Sequence, residues 1–407
     1  MASGNRGLFA SPETLAQDDR AGNRLLTVVA LATFAFYGAT VTAIGPLIPS
    51  IAGTFGLSLG EAGSLFAVGG VGFVLVVFLG GYVADALGKR DVLIVGLITL
   101  AIGVFGLGLA PSFQLLLVAA FVQNVGSGLL ESAIGGLVVD LNPRRSTAAL
   151  NILHSFFGWG ALLGPLLVGL LLIPAGWRWV CILIALPFVP LAVFASRQRF
   201  PAPSATEPVK WSELRTLLRD RVIQVSTVGI LLYVASELSL SAWTFPYLHT
   251  VRGYSEIIAG GGVSIFWVGI AGGRWASAWF SRLLRPAQIV QAGAAIFAVG
   301  TVGLLFTTDA PLALFALLVA GLGAAAIYPT IMAHACARNP ALSGTITGLI
   351  TTATGVGILA GPTAIGWLGD ALGLRGALFA VVVLILAVLA LYQTQHHHAG
   401  EGRTTAH

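Results

Sequence analysis

Glu131 and Glu237 are acids set inside long apolar runs, and an ionised carboxylate in a lipid-solvated interior is costly. Such an acid calls for a partner, a water-filled cavity or a proton of its own. Glu131 is expected a turn or so from the middle of its helix, with His154 at a similar depth on the next one. That pair suits proton uptake and release, the imidazole biasing the carboxyl. A static buried hydrogen bond would account for the same two residues. Glu237 has Tyr233, Ser236, Ser241 and Trp243 within two turns, a set able to hold a hydroxylated solute because carboxylates are strong acceptors. An acid kept for packing against a neighbouring hydroxyl is the plainer alternative.

Other polar residues share helical faces with these. Gln123, Asn124, Ser127 and Glu131 fall close to one face, and Asn151, His154, Ser155 and Trp159 do so on the following helix. Polar faces at mid-depth line water rather than lipid. The flat rings of Trp243, Trp267 and Tyr328 would stack on the C–H face of a sugar while amides hold its hydroxyls. Any one of the nine tryptophans is as readily a packing residue or an interface anchor.

Several chemistries are excluded. No G-x-x-x-x-G-K-[ST] loop and no cysteine or histidine cluster with metal spacing occurs inside the core, so ATP-driven transport, a metal or another cofactor is not expected. Cys181 and Cys336 are expected toward opposite faces, too far apart for a disulfide. His396, His397 and His398 read as part of a polar tail. The formal charge of +5 does not imply nucleic acid, because the basic residues lie in short loops rather than as a stripe. Glu131 and His154 imitate an acid–base pair, but no nucleophile accompanies them, so an enzyme is not expected.

These residues must be positioned by helices in a bilayer. With 57% apolar and 9% charged residues and a mean hydropathy of +0.91, the chain has too little charge to cover a water-soluble globule. Apolar runs of about 18 residues or more read as spans. Twelve are expected, at 25–49, 60–82, 91–109, 113–140, 147–172, 178–195, 222–248, 256–279, 288–307, 311–335, 343–368 and 374–393. The first 24 residues carry Asp18, Asp19, Arg20 and Arg24 and do not read as a cleavable leader. With the N-terminus inside, lysine and arginine divide 18 inside to 3 outside, which puts both termini in the cytoplasm. Arginine outnumbers lysine 19 to 2, and a bacterial inner membrane is expected. The expected parts are a tail at 1–24, a six-helix bundle at 25–196, a cytoplasmic linker with a short surface helix at 197–221, a second bundle at 222–393 and a tail at 394–407.

The halves repeat. Gly160, Gly164, Pro165, Gly169, Gly176 and Arg178 have the spacing of Gly357, Gly361, Pro362, Gly366, Gly373 and Arg375, 197 residues later. Gly126 and Gly128 pair with Gly321 and Gly323 at an offset of 195, and Tyr37 pairs with Tyr233 at 196, which adds Tyr37 to the candidate solute-binding set. Two pseudo-twofold-related six-helix bundles follow, an all-α membrane fold with a solute site at mid-depth between them.

The loop after the second span reads Gly81-Tyr82-Val83-Ala84-Asp85-Ala86-Leu87-Gly88-Lys89-Arg90, and it resembles the loop signature of the major facilitator superfamily. Gly160-x-x-x-Gly164-Pro165 resembles that superfamily's fifth-span motif. Within it, Leu153 to Gly158, Tyr233 with Glu237 and Trp243, and Phe266-Trp267 leading to Gly273-Arg274 are similar to the fucose, galactose and hexose proton symporters. The resemblance implies proton coupling at Glu131. The group's first-span aspartate has no counterpart, since residues 34–49 hold no acid. It also implies a gate: Asp85 accepts from the N-terminal amides of the eleventh span near Ser343 and pairs with Arg90 or Arg145, with Arg274 as a weaker partner in the second half.

The expected function is secondary transport of a small hydroxylated solute, a sugar by resemblance, imported with protons by a monomer through alternating access. A proton-linked exporter of amphipathic compounds and a solute receptor without net translocation are the alternatives.

Overall fold

The computed structural model describes residues 12–142, 146–201, 211–280, 283–339 and 342–401. All regular structure within them is helical. In order these are α1 (Pro12–Phe55), α2 (Leu59–Leu87), α3 (Lys89–Leu109), α4 (Phe113–Leu141), α5 (Ser146–Ala185), α6 (Phe188–Ser196) and α7 (Trp211–Arg219). Then follow α8 (Arg221–Pro246), a π-helical turn (Tyr247–Val251), α9 (Glu256–Phe280), α10 (Pro286–Phe306), α11 (Ala310–Ala324), α12 (Ile327–Arg338) and α13 (Ser343–Glu401). The short α7 lies in the expected linker.

Ten described runs are long and apolar enough to cross a membrane. Two of them, Ala149–Ser196 with 48 residues and Ser343–Gln393 with 51, exceed twice the length that a ~30 Å core requires. Each is interrupted once, at Gly176 (φ 75°, ψ 158°) and at Gly373 (φ 70°, ψ 157°). That backbone conformation is open to glycine and strained for other residues. Each long run therefore has room for two crossings, which accommodates the twelve expected.

The tenth crossing departs from the sequence-based expectation of one continuous helix. It breaks between α11 and α12, at Ala325 and Ala326. Pro329 explains this, because it has no N–H for the Ala325 carbonyl and its ring crowds that residue. At the chain ends, α1 begins already at Pro12, and α13 continues through His396–His398 to Glu401, where a polar tail was expected.

The repeat is visible in packing. Ser112 caps α4 by accepting from the Leu115 amide (3.4 Å), and Asp309, 197 residues later, caps α11 by accepting from Leu312 (3.0 Å). Gly160 and Gly164 lie against the backbone of Ala35 and Ala39 in α1, while Gly357 and Gly361 lie against Leu231 and Ala235 in α8. A Cβ on any of the four would press into backbone, so glycine is what lets these helices meet. Pro165 and Pro362 follow Gly164 and Gly361 inside α5 and α13. One registration is corrected. Gly126 packs on the backbone of Leu100, and the glycine packed on the equivalent Phe297 is Gly323, at an offset of 197. Gly321 meets Phe266 of α9 instead. Glycines two apart on a helix face different neighbours, which spacing alone does not reveal.

Candidate solute pathway between the two helix groups

α1–α6 pack largely on one another, as do α8–α13, and three seams join the groups: α1 with α8, α2 with α13, and α5 with α9. With the twelve expected crossings both chain ends lie on one face, termed here the terminal face. Near the opposite face the seams are closed. Gly45 lies on the backbone of Ala242, and Gly260 lies on Pro165 and Gly169. Ser264 Oγ donates to the Leu162 carbonyl at 2.7 Å. The Asp370 carboxylate accepts from the amides of Leu59 (2.8 Å) and Gly60 (2.9 Å) at the start of α2, where the helix dipole favours an anion. Toward the terminal face Asn151, His154, Ser155, Thr347 and Gly348 are exposed, so the space between the groups opens that way.

The two acids lie on either side of that space. Glu131 is half-buried on α4 and acts electrostatically on Tyr37 of α1 and on Tyr328 of α12. Glu237 is buried on α8, 2.6 Å from the Tyr233 hydroxyl, which is also 3.0 Å from the Ala324 carbonyl. Tyr328 also feels Glu237, and it faces Thr351 and Thr354 of α13. The threonines are a part of the wall that the sequence reading missed. Their i, i+3 spacing marks a polar helical stripe that could have shown them.

Glu131 and His154 are not joined: no ion pair links them among the described residues. His154 packs edge-on against Phe34 (5.7 Å between ring centres), and its carbonyl receives Arg274 Nη1 at 3.4 Å. Arg274 thus reaches from α9 to α5 across the seam. Tyr37 is buried, with Phe34 and Phe157 edge-on at 5.8 and 5.3 Å.

Gln123 and Asn124 border a cavity nearer the closed face, whose other walls include Ile44, Leu65, Phe66, Leu238 and Ser241. Asn124 donates to its own helix at the Ala120 carbonyl (3.0 Å). Three tryptophans are placed differently from the expectation that they face a solute. Trp243 is fully buried and donates its indole N–H to the Pro362 carbonyl (2.8 Å). Trp267 donates to Ser241 Oγ (3.0 Å) and meets Phe157 across the seam, so it too is occupied. Trp159 is 60% exposed and stands with Ile152, Phe156 and Leu163 on an apolar outward stripe of α5, as a lipid-facing residue does.

The expected gate is only partly described. The surroundings of Gly81, the side chain of Asp85 and all of Arg145 lie outside the described residues. Gly88 turns the chain with φ 86° ahead of α3. Lys89 pairs with Asp140 (2.5 Å), tying α3 to α4, and Arg90 meets Asp91 (3.1 Å) and the Ser196 carbonyl (2.8 Å). Both basic residues therefore serve contacts inside their own helix group. Asp370, on the opposite face, makes the helix-start contact expected of Asp85, and the sequence reading missed it.

The sequence profile of the Major Facilitator Superfamily matches residues 29–362. The chain belongs to that superfamily, a family of solute transporters. It is 26% identical to a protein TsgA homolog of Erwinia tasmaniensis, over 93% of this chain and 98% of that one, and 24% identical to protein TsgA of Shigella flexneri, over 92% and 98%. Among solved structures, a bacterial homolog of the human lysosomal transporter Spinster, inward-facing and occupied, matches with a TM-score of 0.78 at 16% identity, covering 96% of this chain and 98% of that one. The nucleoside transporter NupG gives 0.78 at 13%, covering 92% and 99%. The fold is thus that of a multi-pass membrane transporter.

Proposed function

We propose that this protein is a secondary transporter of the bacterial inner membrane that moves a small hydroxylated solute by alternating access, with protons as the coupling ion. The observation that carries the reading is one space between two helix groups, with an acid on each wall, open to one face and closed at the other. With both termini in the cytoplasm, as the basic loops favour, this is the inward-open arrangement. A monomer suffices, because both walls come from one chain.

Glu131 is the proposed coupling acid, since it is half-buried beside Tyr37 and Tyr328 and within reach of cavity water. His154 lines the open side beside Phe34 and Arg274 as a wall residue rather than as the ion partner of Glu131. Asn151, Ser155, Tyr328, Thr351 and Thr354 supply hydroxyl and amide contacts to a solute entering from the open face. Tyr37, Gln123, Asn124, Tyr233 and Glu237 lie deeper. Asp85, Arg145 and Arg274 govern closure at the terminal face, while Lys89 and Arg90 hold their own helix group together.

The test is uptake and counterflow in proteoliposomes with a panel of sugars, polyols and nucleosides under an imposed proton gradient. Gradient-driven accumulation of one of them supports the reading; counterflow without accumulation leaves a facilitator, and neither leaves a receptor. The cavity beside Gln123 supports a second reading, because its lining is mostly apolar. It suits an amphipathic solute moved outward, and loss of a hydrophobic dye from energised vesicles would favour that.

A further inference from the structure

The Tyr233 hydroxyl stands between two acceptors with one hydrogen to give. Its oxygen is 2.6 Å from Glu237 Oε1 and 3.0 Å from the Ala324 carbonyl oxygen. A carbonyl can only accept, and so can an ionised carboxylate. Tyr233, Glu237 and Ala324 are all buried, so an acceptor left without a donor there is not rescued by bulk water. With Tyr233 as the donor they share, only one arrangement satisfies all three groups. The carboxyl carries a proton and donates it to Tyr233, and Tyr233 donates to Ala324.

The Ala324 carbonyl is not an arbitrary acceptor. It ends α11, where a helix leaves its last carbonyls without intrahelical partners, and the interruption follows from Pro329. Tyr233 therefore caps the break in the tenth crossing from the neighbouring helix. α12, on the far side of the break, carries Tyr328.

We propose that Glu237 is a proton-holding site in this conformation, and that its proton sets the position of α12 through Tyr233. With the proton present, Tyr233 caps α11. When the proton leaves for cavity water, the carboxylate draws the Tyr233 hydrogen to itself, the Ala324 carbonyl loses its donor, and α12 is released. The groups acting on Glu237 are Tyr233 on its own helix, Arg274 from α9 and Tyr328 from α12; α1 and α13, also packed on α8, bring no titratable group to it among the described residues. The inference deepens the proton-coupled reading and rests on it for its purpose, though the proton itself can be observed without transport.

The test is infrared difference spectroscopy of the purified full-length protein at neutral pH, with Glu237→Gln as the comparison. A protonated-carboxyl C=O band is expected in the wild type and absent from Glu237→Gln. In Tyr233→Phe it is expected at shifted frequency, because its hydrogen-bond acceptor is gone. The free thiol of Cys336 on α12 supplies a second readout. The ratio of its maleimide labelling rate in wild type to that in Glu237→Gln cancels the ionisation of the thiol. That ratio is expected to rise severalfold from neutral to alkaline pH, while Tyr233→Phe labels fast throughout. Absence of the band, or a ratio flat with pH, overturns the proposal. Both readouts are taken without solute or gradient, so either failure stands apart from a failure of proton-driven uptake, which would count against the coupled reading instead.

Discussion

The two helix groups share a scaffold and divide the chemistry. Tyr37 touches Ser127 on α4 in the first half; in the second, Tyr233 touches Ala324 of α11, the residue 197 positions after Ser127. The tyrosines are equivalent, but their partners are a hydroxyl in one half and a main-chain carbonyl at a helix end in the other. The acids are displaced too. Glu131 stands on the fourth crossing, and its repeat position in the tenth is Tyr328; Glu237 stands on the seventh crossing, and its repeat position in the first is Val41. Backbone packing fixed by glycine is duplicated, whereas the acids Glu131 and Glu237 are not. Alternating access needs matched hinges on both sides and a proton site only where the cavity passes it.

If the acids are not interchangeable, removing each should have a different effect, and this is the largest expected. Glu131→Gln should abolish accumulation against a gradient while counterflow persists, because a permanently neutral side chain permits the conformational cycle without tying it to protons. Accumulation surviving in that variant would falsify the assignment. Glu237→Gln should retain the neutral form's geometry and lose mainly the response of α12 to pH.

The duplicated packing can be broken next. Gly160 approaches Ala35 more closely than Gly357 approaches Leu231, where a Cβ would sit 2.8 Å from the carbonyl oxygen. Gly160→Ala should therefore destabilise by about 1–3 kcal/mol, the usual range for overpacking, and Gly357→Ala by less. Gly158→Ala is the control. Its Cβ would meet nothing within 4 Å, so it should be neutral or stabilising by up to ~1 kcal/mol. Thermal melting in detergent orders the three. Equal losses at 160 and 357 would mean that the two hinges are tighter copies of one another than their contacts indicate.

What the sequence disclosed follows the same division. Hydropathy and glycine spacing are properties of a helix by itself, so the crossings, the breaks at Gly176 and Gly373, and the 197-residue repeat were legible. Which neighbour a side chain meets depends on helix rotation, and there the reading failed. Trp159 shares a helix with Ser155 but faces outward, Trp243 and Trp267 direct their N–H groups to Pro362 and Ser241, and Arg90 turns to its own group. Asp370 falls between the expected spans 343–368 and 374–393 and drew no reading, because its partners are amides 311 and 310 residues away, at the start of α2. The bend in the tenth crossing was legible in principle from Pro329, since proline inside an apolar span removes a donor.

Asp370 sharpens the comparison from the closed face. Its repeat position in the first half is Ile173, so this latch exists once. Asp370→Asn keeps one acceptor and removes the charge, which should weaken closure by about 1 kcal/mol, roughly a fivefold shift toward the state open at that face. Spin-label distances across the start of α2 and the bend at Gly373 measure the populations. Unchanged distances would leave the glycine contacts alone as the closing element.

The smallest expected effect tests whether ion pairs within each group are equivalent. Lys89–Asp140 ties α3 to α4, while Arg338 Nε meets Asp220 at 2.8 Å and ties α12 to the start of α8. Burial alone would raise the Asp220 carboxyl, but hydrogen bonds from Arg338 and the Val222 amide, with the guanidinium charge, hold it below its ordinary value. A carboxyl depressed on folding contributes stability that is present above its unfolded pKa, about 3.9, and is lost as pH falls through the folded value. Arg338 is 58% exposed, so solvent screening keeps the contribution below about 1 kcal/mol. Asp220→Asn retains a side chain able to cap α8 and removes only the charge. Its melting temperature should lie slightly below wild type near neutrality and converge with it toward about pH 3. A difference independent of pH would show that the cap, rather than the ion pair, is what Asp220 contributes to holding α12 in place.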